Sequence, residues 1–354
     1  EGSGALSGSA QSYSQGGVAQ GQTHHQVPPQ IQPDTQTQGL SLADMLAAKK
    51  AEMQQAGSRS GFERSTAGLQ AAGDNGQLTN GPATGLLAGA SGERVRSNDH
   101  SLLSTVNDAI EANRVELYLQ PIVGLPEREL QYYEAFSRLR NEIGQLILPR
   151  DYMAVAEAAE LAPIIDNQIV LRSIQVIQRL VERGKGRKVF CNLSLNSLRD
   201  ADFFAEFMDF MEANRWLADH LVFEFTEEAF ERSGAYEFER MAFIANLGFR
   251  FSLDQITRLD IDFKALADRR FGFVKINSSL LLGNMEGSKA QIHSADLNHY
   301  LNRLNIIMIV DMVEREAVVR QLRDYNVQYA QGNLFCEPKP VRPEVFGSAA
   351  EVAA

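Results

Sequence analysis

The chain has 354 residues, with 34 Lys+Arg against 45 Asp+Glu for a net charge of −11, and 44% of its residues are hydrophobic. That balance excludes a bulk basic nucleic-acid binder and a wholly disordered chain. The averages hide a division, because the first 100 residues hold 16 of the 27 glycines but only two aromatics, Tyr13 and Phe62.

Residues 1–98 are rich in Gly, Ser, Gln and Ala, and Pro28, Pro29 and Pro33 break local regularity. They are expected to form a disordered leader or linker, since such a composition buries too little apolar surface to offset the entropy of ordering it. One island differs. Residues 42–50 follow Ser41, a suitable N-cap, and place Leu42, Met45 and Leu46 on one helical face. A transient helix in a linker is expected there, with a short partner-binding helix as the alternative. His24-His25 stands apart from cysteines and carboxylates, so no metal site is expected at that pair. The chain opens on Glu1 with neither a basic n-region nor an apolar h-region, and it reads as processed or as a fragment. No apolar run of about 18 residues occurs, so membrane contact is expected only through a segment upstream. Cys191 and Cys336 lie in apolar, strand-like stretches and read as free thiols of a reducing, cytoplasmic compartment.

Order is expected over residues 99–346, with 347–354 as a flexible tail. It begins where Leu102, Leu103, Val106, Ala109 and Ile110 have helical spacing. The predicted strands are Leu117–Val123, Gln131–Leu139, Lys188–Leu193, Leu221–Thr226, Arg250–Asp254, Phe273–Ile276, Asn305–Val310 and Val327–Leu334. Helical patterns cover Asn167–Arg183, Asp202–Asn214, Tyr236–Leu247, Ala290–Leu304 and Glu314–Asp324. Strands alternating with helices predict an α/β fold, a TIM-like (β/α)8 barrel, with an open doubly wound sheet as the alternative. The alternative is weakened because no Gly-rich phosphate loop follows the first strand.

In such a barrel the strand ends supply the site. Read in order, those ends carry Gln120, Glu134, Asn192, Glu224, Asp254, Lys275, Asp311 and Gln331, each interrupting an apolar run. Carboxylates and an amide are oxygen donors suited to Mg²⁺ or Mn²⁺ rather than zinc. Two such ions can activate a water and stabilise the leaving oxygen in phosphodiester hydrolysis. The plainer alternative is a buried Lys–carboxylate network that stabilises the barrel mouth and binds nothing.

Several tripeptides at these ends resemble one family. Gln120-Pro121-Ile122, Glu134-Ala135-Phe136 with Arg138, Asn192-Leu193-Ser194, Glu224-Phe225-Thr226-Glu227, Lys275-Ile276-Asn277 and Gln331-Gly332-Asn333-Leu334-Phe335 are similar, in this order, to the motifs of the EAL-domain cyclic di-GMP phosphodiesterases. The resemblance implies that Glu134, Asn192, Glu224 and Asp254 are metal ligands for Mg²⁺ or Mn²⁺. It implies that Lys275 helps orient the attacking water, that Arg138 pairs with a ligand phosphate, and that Gln331 sits at the mouth beside the ligand. With Gln120, Ala135, Phe136, Asp311 and Glu314, these residues would form the cyclic di-GMP site.

The departures fall on metal assembly. Where the family has an acidic pair and then a Gly-rich loop, this chain has Asp254-Gln255-Ile256-Thr257-Arg258-Leu259. Where the family has A-E-G-V-E it has Val310-Asp311-Met312-Val313-Glu314. An amide replaces one carboxylate, while Phe136, Arg138 and Gln331 remain for ligand contact. The resemblance therefore implies a catalytically degenerate domain, with Lys275 and Glu134 as vestigial catalytic residues, that keeps cyclic di-GMP as ligand and acts as a receptor. Its alternatives are a metal-dependent phosphodiesterase giving the linear dinucleotide pGpG, and a ligand-free interaction scaffold. The Gly/Gln-rich leader ahead of a degenerate domain resembles polar flagellar-assembly regulators. That implies flagellar assembly or polarity proteins as partners and an inner-membrane anchor upstream at the cell pole.

Overall fold

The computed structural model describes residues 101–283 and 294–342. A helix over residues 101–111 (α1) leads into β1 (Val115–Gly124), which turns straight back into β2 (Glu129–Arg140). The two pair antiparallel, with Gln120 opposite Glu134. The later barrel strands are β4 (Lys188–Asn192), β5 (Leu221–Thr226), β6 (Arg250–Ile256), β7 (Phe271–Asn277), β8 (Ile307–Asp311) and β9 (Tyr329–Gln331). They run parallel from β2 to β9, and β1 closes the ring by pairing with both β2 and β9. Two-residue strands, β3 (Leu146–Ile147) and β10 (Lys339–Pro340), extend β2 and β1.

The expected barrel forms, with one correction to its topology. β1 is antiparallel to both neighbours and joins β2 through a hairpin, so the strands are not all parallel as in an ideal (β/α)8 barrel. The physical reason is length, because a parallel crossover needs roughly a dozen or more residues and residues 125–128 supply only a turn.

The remaining helices are α2 (Pro149–Ala158), α3 (Ala162–Glu182), α4 (Leu195–Arg199), α5 (Ala201–Ala213), α6 (Glu227–Glu231), α7 (Ala235–Asn246), α8 (Phe263–Asp268), α9 (Ser278–Gly283), α10 (Ser294–Arg303) and α11 (Glu316–Asp324). A 3₁₀ turn spans Arg215–Asp219. α3 starts earlier than its apolar spacing suggested because Pro163 fits the first turn, where a missing N–H costs nothing. Asp200 caps α5 by accepting from the Phe203 amide at 2.9 Å. β9 ends at Gln331, so Cys336 lies beyond a turn and not in a strand, while Cys191 is buried in β4; both are free thiols. The island at 42–50, His24-His25 and the tail at 347–354 lie outside the described residues. Among the described residues no helix is long and apolar enough to cross a membrane.

The core has two parts. The larger lies between the strands and the surrounding helices. The smaller fills the barrel with Ile122, Phe190, Val222, Phe273 and Ile309, all fully buried, and Phe190 meets Phe273 edge-on at 4.9 Å. Burying each such side chain contributes about 1.5–3 kcal/mol. Because side chains alternate along a strand, the next inward residue beyond this plug lies two positions further on. Phe190 is thus followed by Asn192, Val222 by Glu224, Phe273 by Lys275 and Ile309 by Asp311. The apolar plug is the floor on which the polar site stands.

Candidate functional site

Lys275 is the centre of the site. Its side chain is 1% exposed, and its Nζ lies 2.7 Å from Glu134 Oε2 and 2.8 Å from Glu224 Oε2. Glu134 Oε2 also accepts from Gln331 Nε2 at 2.5 Å, and Gln331 Nε2 reaches Gln120 Oε1 at 2.9 Å. Ser252 Oγ donates to Glu224 Oε1 at 2.9 Å, and Gln120 Nε2 donates to the Cys336 carbonyl at 3.0 Å. Six barrel strands and the segment after β9 are thereby tied together in the mouth.

Charge in this cluster is unbalanced. Burial pushes the Glu134 and Glu224 carboxyls up, and the Lys275 charge only partly pulls them back. Burial would lower Lys275, but Glu134, Glu224 and Asp254 outweigh it and hold the ammonium protonated. Burial, helped by the charge of Asp254, raises Asp311 to about 7. Asp254 Oδ1 and Asp311 Oδ1 are buried with no hydrogen-bond partner. Glu134, Glu224 and Asp254 offer carboxylate oxygens within 4.8 Å of one another. Hard oxygen donors, orphaned acceptors and excess negative charge fit a divalent cation such as Mg²⁺ or Mn²⁺.

A cavity of about 740 Å³ opens over this floor. Of the residues the sequence singled out, Glu134, Ala135, Phe136, Asn192, Glu224 and Asp254 line it. Gln120, Lys275 and Gln331 are buried in the network behind them, and Asp311 is largely buried at the end of β8. Two others stand elsewhere. Glu314 is exposed beyond β8. Arg138 is half-buried outside the cavity lining, its guanidinium 5.6 Å from the Tyr118 ring and 5.3 Å from the Phe136 ring, donating to the Ser137 carbonyl at 2.8 Å.

The two departures from the family pattern both fall on left-handed backbone. Gln255 lies on the cavity wall, exposed, with φ +54°, and Met312 has φ +52° with its side chain out in solvent. Residues other than Gly, Asn and Asp adopt that region at a cost.

Three residues that sequence reasoning gave no role complete the site. Asp166, buried on α3, accepts from the Ser194 amide and the Ser197 hydroxyl, each at 2.7 Å, and burial raises its carboxyl to about 6. It ties α3 to the segment just after Asn192. Tyr152, fully buried on α2, donates to Ser137 Oγ at 2.6 Å. Glu227 accepts from the Thr257 amide at 2.7 Å, the Thr257 hydroxyl at 2.6 Å and Arg258 Nε at 3.2 Å. It anchors the loop that follows Gln255, and Arg258 also pairs with Glu231. The signals were available, an aspartate amid the apolar run Ile164-Ile165 to Ile169-Val170 and a second glutamate closing Glu224–Glu227. Neither said which loop it would hold.

Gly332 fixes Gln331. A Cβ there would lie 2.2 Å from the Val313 carbonyl oxygen and 2.4 Å from its nitrogen. That contact cannot open cheaply, because the Val313 amide donates to the Gln331 carbonyl and the Leu334 amide to the Val313 carbonyl. Gly332→Ala is expected to destabilise the protein by at least about 2 kcal/mol, read from the denaturant midpoint. An unchanged midpoint would contradict this account of the close approach.

The chain is similar to known proteins over its barrel. Residues 104–338 match the EAL domain family. The chain is 24% identical over 238 residues to the cyclic di-GMP phosphodiesterase PdeB of Shewanella oneidensis, covering 67% of this chain and 28% of that protein. It is 23% identical over 241 residues to the cyclic di-GMP phosphodiesterase PdeF of Escherichia coli, covering 68% and 32%. This chain thus spans no more than about a third of these relatives. Among solved structures, the FimX EAL domain of Pseudomonas aeruginosa bound to cyclic di-GMP aligns with TM-score 0.58 at 26% identity over 67% of this chain and 96% of that one. The EAL enzyme Bd1971 aligns with TM-score 0.60 at 21% identity over 71% and 69%. From residue 104 to residue 338, two thirds of its length, the chain belongs to the EAL domain family.

Proposed function

We propose that this EAL domain is a receptor for cyclic di-GMP with impaired phosphodiesterase chemistry. The observation that carries the reading is Gln255, a neutral amide beside Asp254 on the cavity wall, where the family resemblance calls for a second carboxylate. Relatives named as cyclic di-GMP phosphodiesterases and an EAL domain solved with cyclic di-GMP support the ligand class.

Glu134, Asn192, Glu224 and Asp254 would hold a divalent ion, with Lys275 fixing the two glutamates in place. When bound, two such ions supply an activated water and stabilise the leaving oxygen. Gln255 offers one uncharged carbonyl oxygen to a second ion, so the attacking and leaving oxygens are unequally served and turnover falls by orders of magnitude. Binding depends on other groups. Phe136 offers an apolar face to a base, and Arg138 lies beside it with a planar guanidinium suited to a phosphate. Gln120, Ala135, Asp311, Glu314 and Gln331 are proposed to complete the ligand site.

A second reading, metal-dependent hydrolysis to pGpG, is favoured by the intact Glu134–Lys275–Glu224 cluster and by the orphaned oxygens of Asp254 and Asp311. We further propose that ligand binding favours a protein-recruiting surface, an equilibrium biased by differential affinity. The leader followed by a degenerate domain resembles TipF, a polar flagellar-assembly regulator, which suggests flagellar partners and an upstream membrane anchor on the cytoplasmic face of the cell pole. Isothermal titration with cyclic di-GMP is expected to give micromolar or tighter binding, and absence of saturable binding overturns the receptor reading.

A further inference from the structure

Of the charged residues that line the cavity, six are carboxylates: Glu134, Glu157, Asp166, Glu224, Glu228 and Asp254. An anionic ligand meets repulsion from that set unless cations intervene. Among the described residues the cationic liners are Arg150 and Arg232. They stand on different helices, Arg150 in the first turn of α2 and Arg232 at the C-terminal cap of α6. Their ion pairs within the protein are exposed ones. Arg150 Nε lies 3.6 Å from Asp151, with side chains 79% and 53% exposed, and Arg232 Nη1 lies 3.3 Å from Glu228, with 61% and 78% exposed. Exposed pairs of this kind contribute little and exchange readily for a better partner. Arg138 lies outside this lining, its guanidinium 5.3 Å from the Phe136 ring and 5.6 Å from the Tyr118 ring.

We infer that Arg150 and Arg232 bind ligand phosphate at the cavity rim, adding to Arg138 beside Phe136, so that the ligand's charge is met by side chains without need of a metal ion. This rests on the proposal that the ligand is cyclic di-GMP. Its phosphodiesters are each singly charged and present two free oxygens, which a guanidinium can grip with two parallel hydrogen bonds, whereas the pairs with Asp151 and Glu228 are single contacts at 3.6 and 3.3 Å. The acidic floor then excludes phosphate from the metal-ligating end and leaves it near the rim. Capture becomes independent of divalent cations, which suits a receptor and not a hydrolase.

The test is titration of cyclic di-GMP into the whole chain in EDTA and again in Mg²⁺, for the wild type, Arg150→Ala, Arg232→Ala, the double variant and a control, Arg215→Ala, whose side chain pairs with Glu212 away from the cavity. Both arginines are exposed, so the thermal midpoint is expected to stay put and to report an intact fold. The expected result is wild-type binding in EDTA, weakened about tenfold by each single change and about a hundredfold by both, with Arg215→Ala unchanged. Wild-type binding that persists in the double variant within twofold overturns the inference and leaves the receptor reading standing. Wild-type binding only with Mg²⁺ overturns it as well. No wild-type binding under either condition overturns both.

Discussion

Replacing Lys275 with methionine is expected to destabilise the barrel by roughly 3–5 kcal/mol, the cost of removing one partner from a buried ion cluster. For a domain of this size the thermal midpoint falls on the order of 10 °C. The size follows from what Lys275 leaves behind. Two fully buried glutamates lose the ammonium at 2.7 and 2.8 Å, and Asp254 is close enough to repel both. The loss depends on pH with a definite sign. Burial already raises Glu134 and Glu224, and without the opposing charge their folded-state values rise further. The folded state then binds more protons than the unfolded chain, so stability is present at low pH and lost as pH rises through the folded values. The deficit is therefore greatest at neutral pH and shrinks on acidification. Because the vacated cluster carries more negative charge, millimolar Mg²⁺ should raise the variant's midpoint more than the wild type's. A second change, Glu224→Gln, should restore part of the loss, since an amide needs no counter-charge. A deficit under about 1 kcal/mol, or one flat from pH 5 to pH 8, contradicts the assignment of Lys275 as the cluster's counter-ion.

Gln255→Asp is expected to raise metal-dependent formation of linear product by one to two orders of magnitude, a gain of about 1.4–2.7 kcal/mol in barrier. The backbone favours the change, because aspartate tolerates the left-handed region that Gln255 already adopts at φ +54°. The charge favours it only with a cation present. In EDTA a new carboxylate beside Asp254, whose Oδ1 is already orphaned, adds repulsion and should lower the midpoint; in Mg²⁺ it should raise it above wild type in the same buffer. This opposite sign separates a metal effect from a general change in loop stability. If product formation and both midpoints stay at wild-type values, the missing carboxylate is not what limits the site. The remaining suspect would then be the loop beyond it, which Glu227 and Arg258 clamp to α6.

Much of this site was legible in the sequence because strand geometry is strict. A buried strand that reads Phe190-Cys191-Asn192 or Phe273-Val274-Lys275 can only send its polar residue inward one pleat above an aromatic one. The interruption of apolar runs at strand ends singled out Glu134, Asn192, Glu224, Asp254 and Lys275 from sequence alone. What escaped was set by contacts distant in sequence. The direction of β1 depends on the length of a turn and not on apolar spacing. α4 and α6 are too short for a periodic pattern to register, yet they form cavity walls. Asp166 reads as an oddity within α3 until Ser194 and Ser197 are seen to donate to it. Arg150 and Arg232 look like ordinary surface charges, and only the fold brings them to one cavity.

The most direct test follows binding and product in one sample: cyclic di-GMP titrated into the whole chain with and without Mg²⁺, with aliquots assayed for linear dinucleotide. The receptor account predicts saturable binding in both buffers and little or no product at high protein concentration. Metal-dependent conversion at rates typical of enzymes, about 1 s⁻¹ or faster, would contradict it in favour of a phosphodiesterase. Absence of binding in both buffers would contradict it in favour of a scaffold that has kept the barrel and lost the ligand.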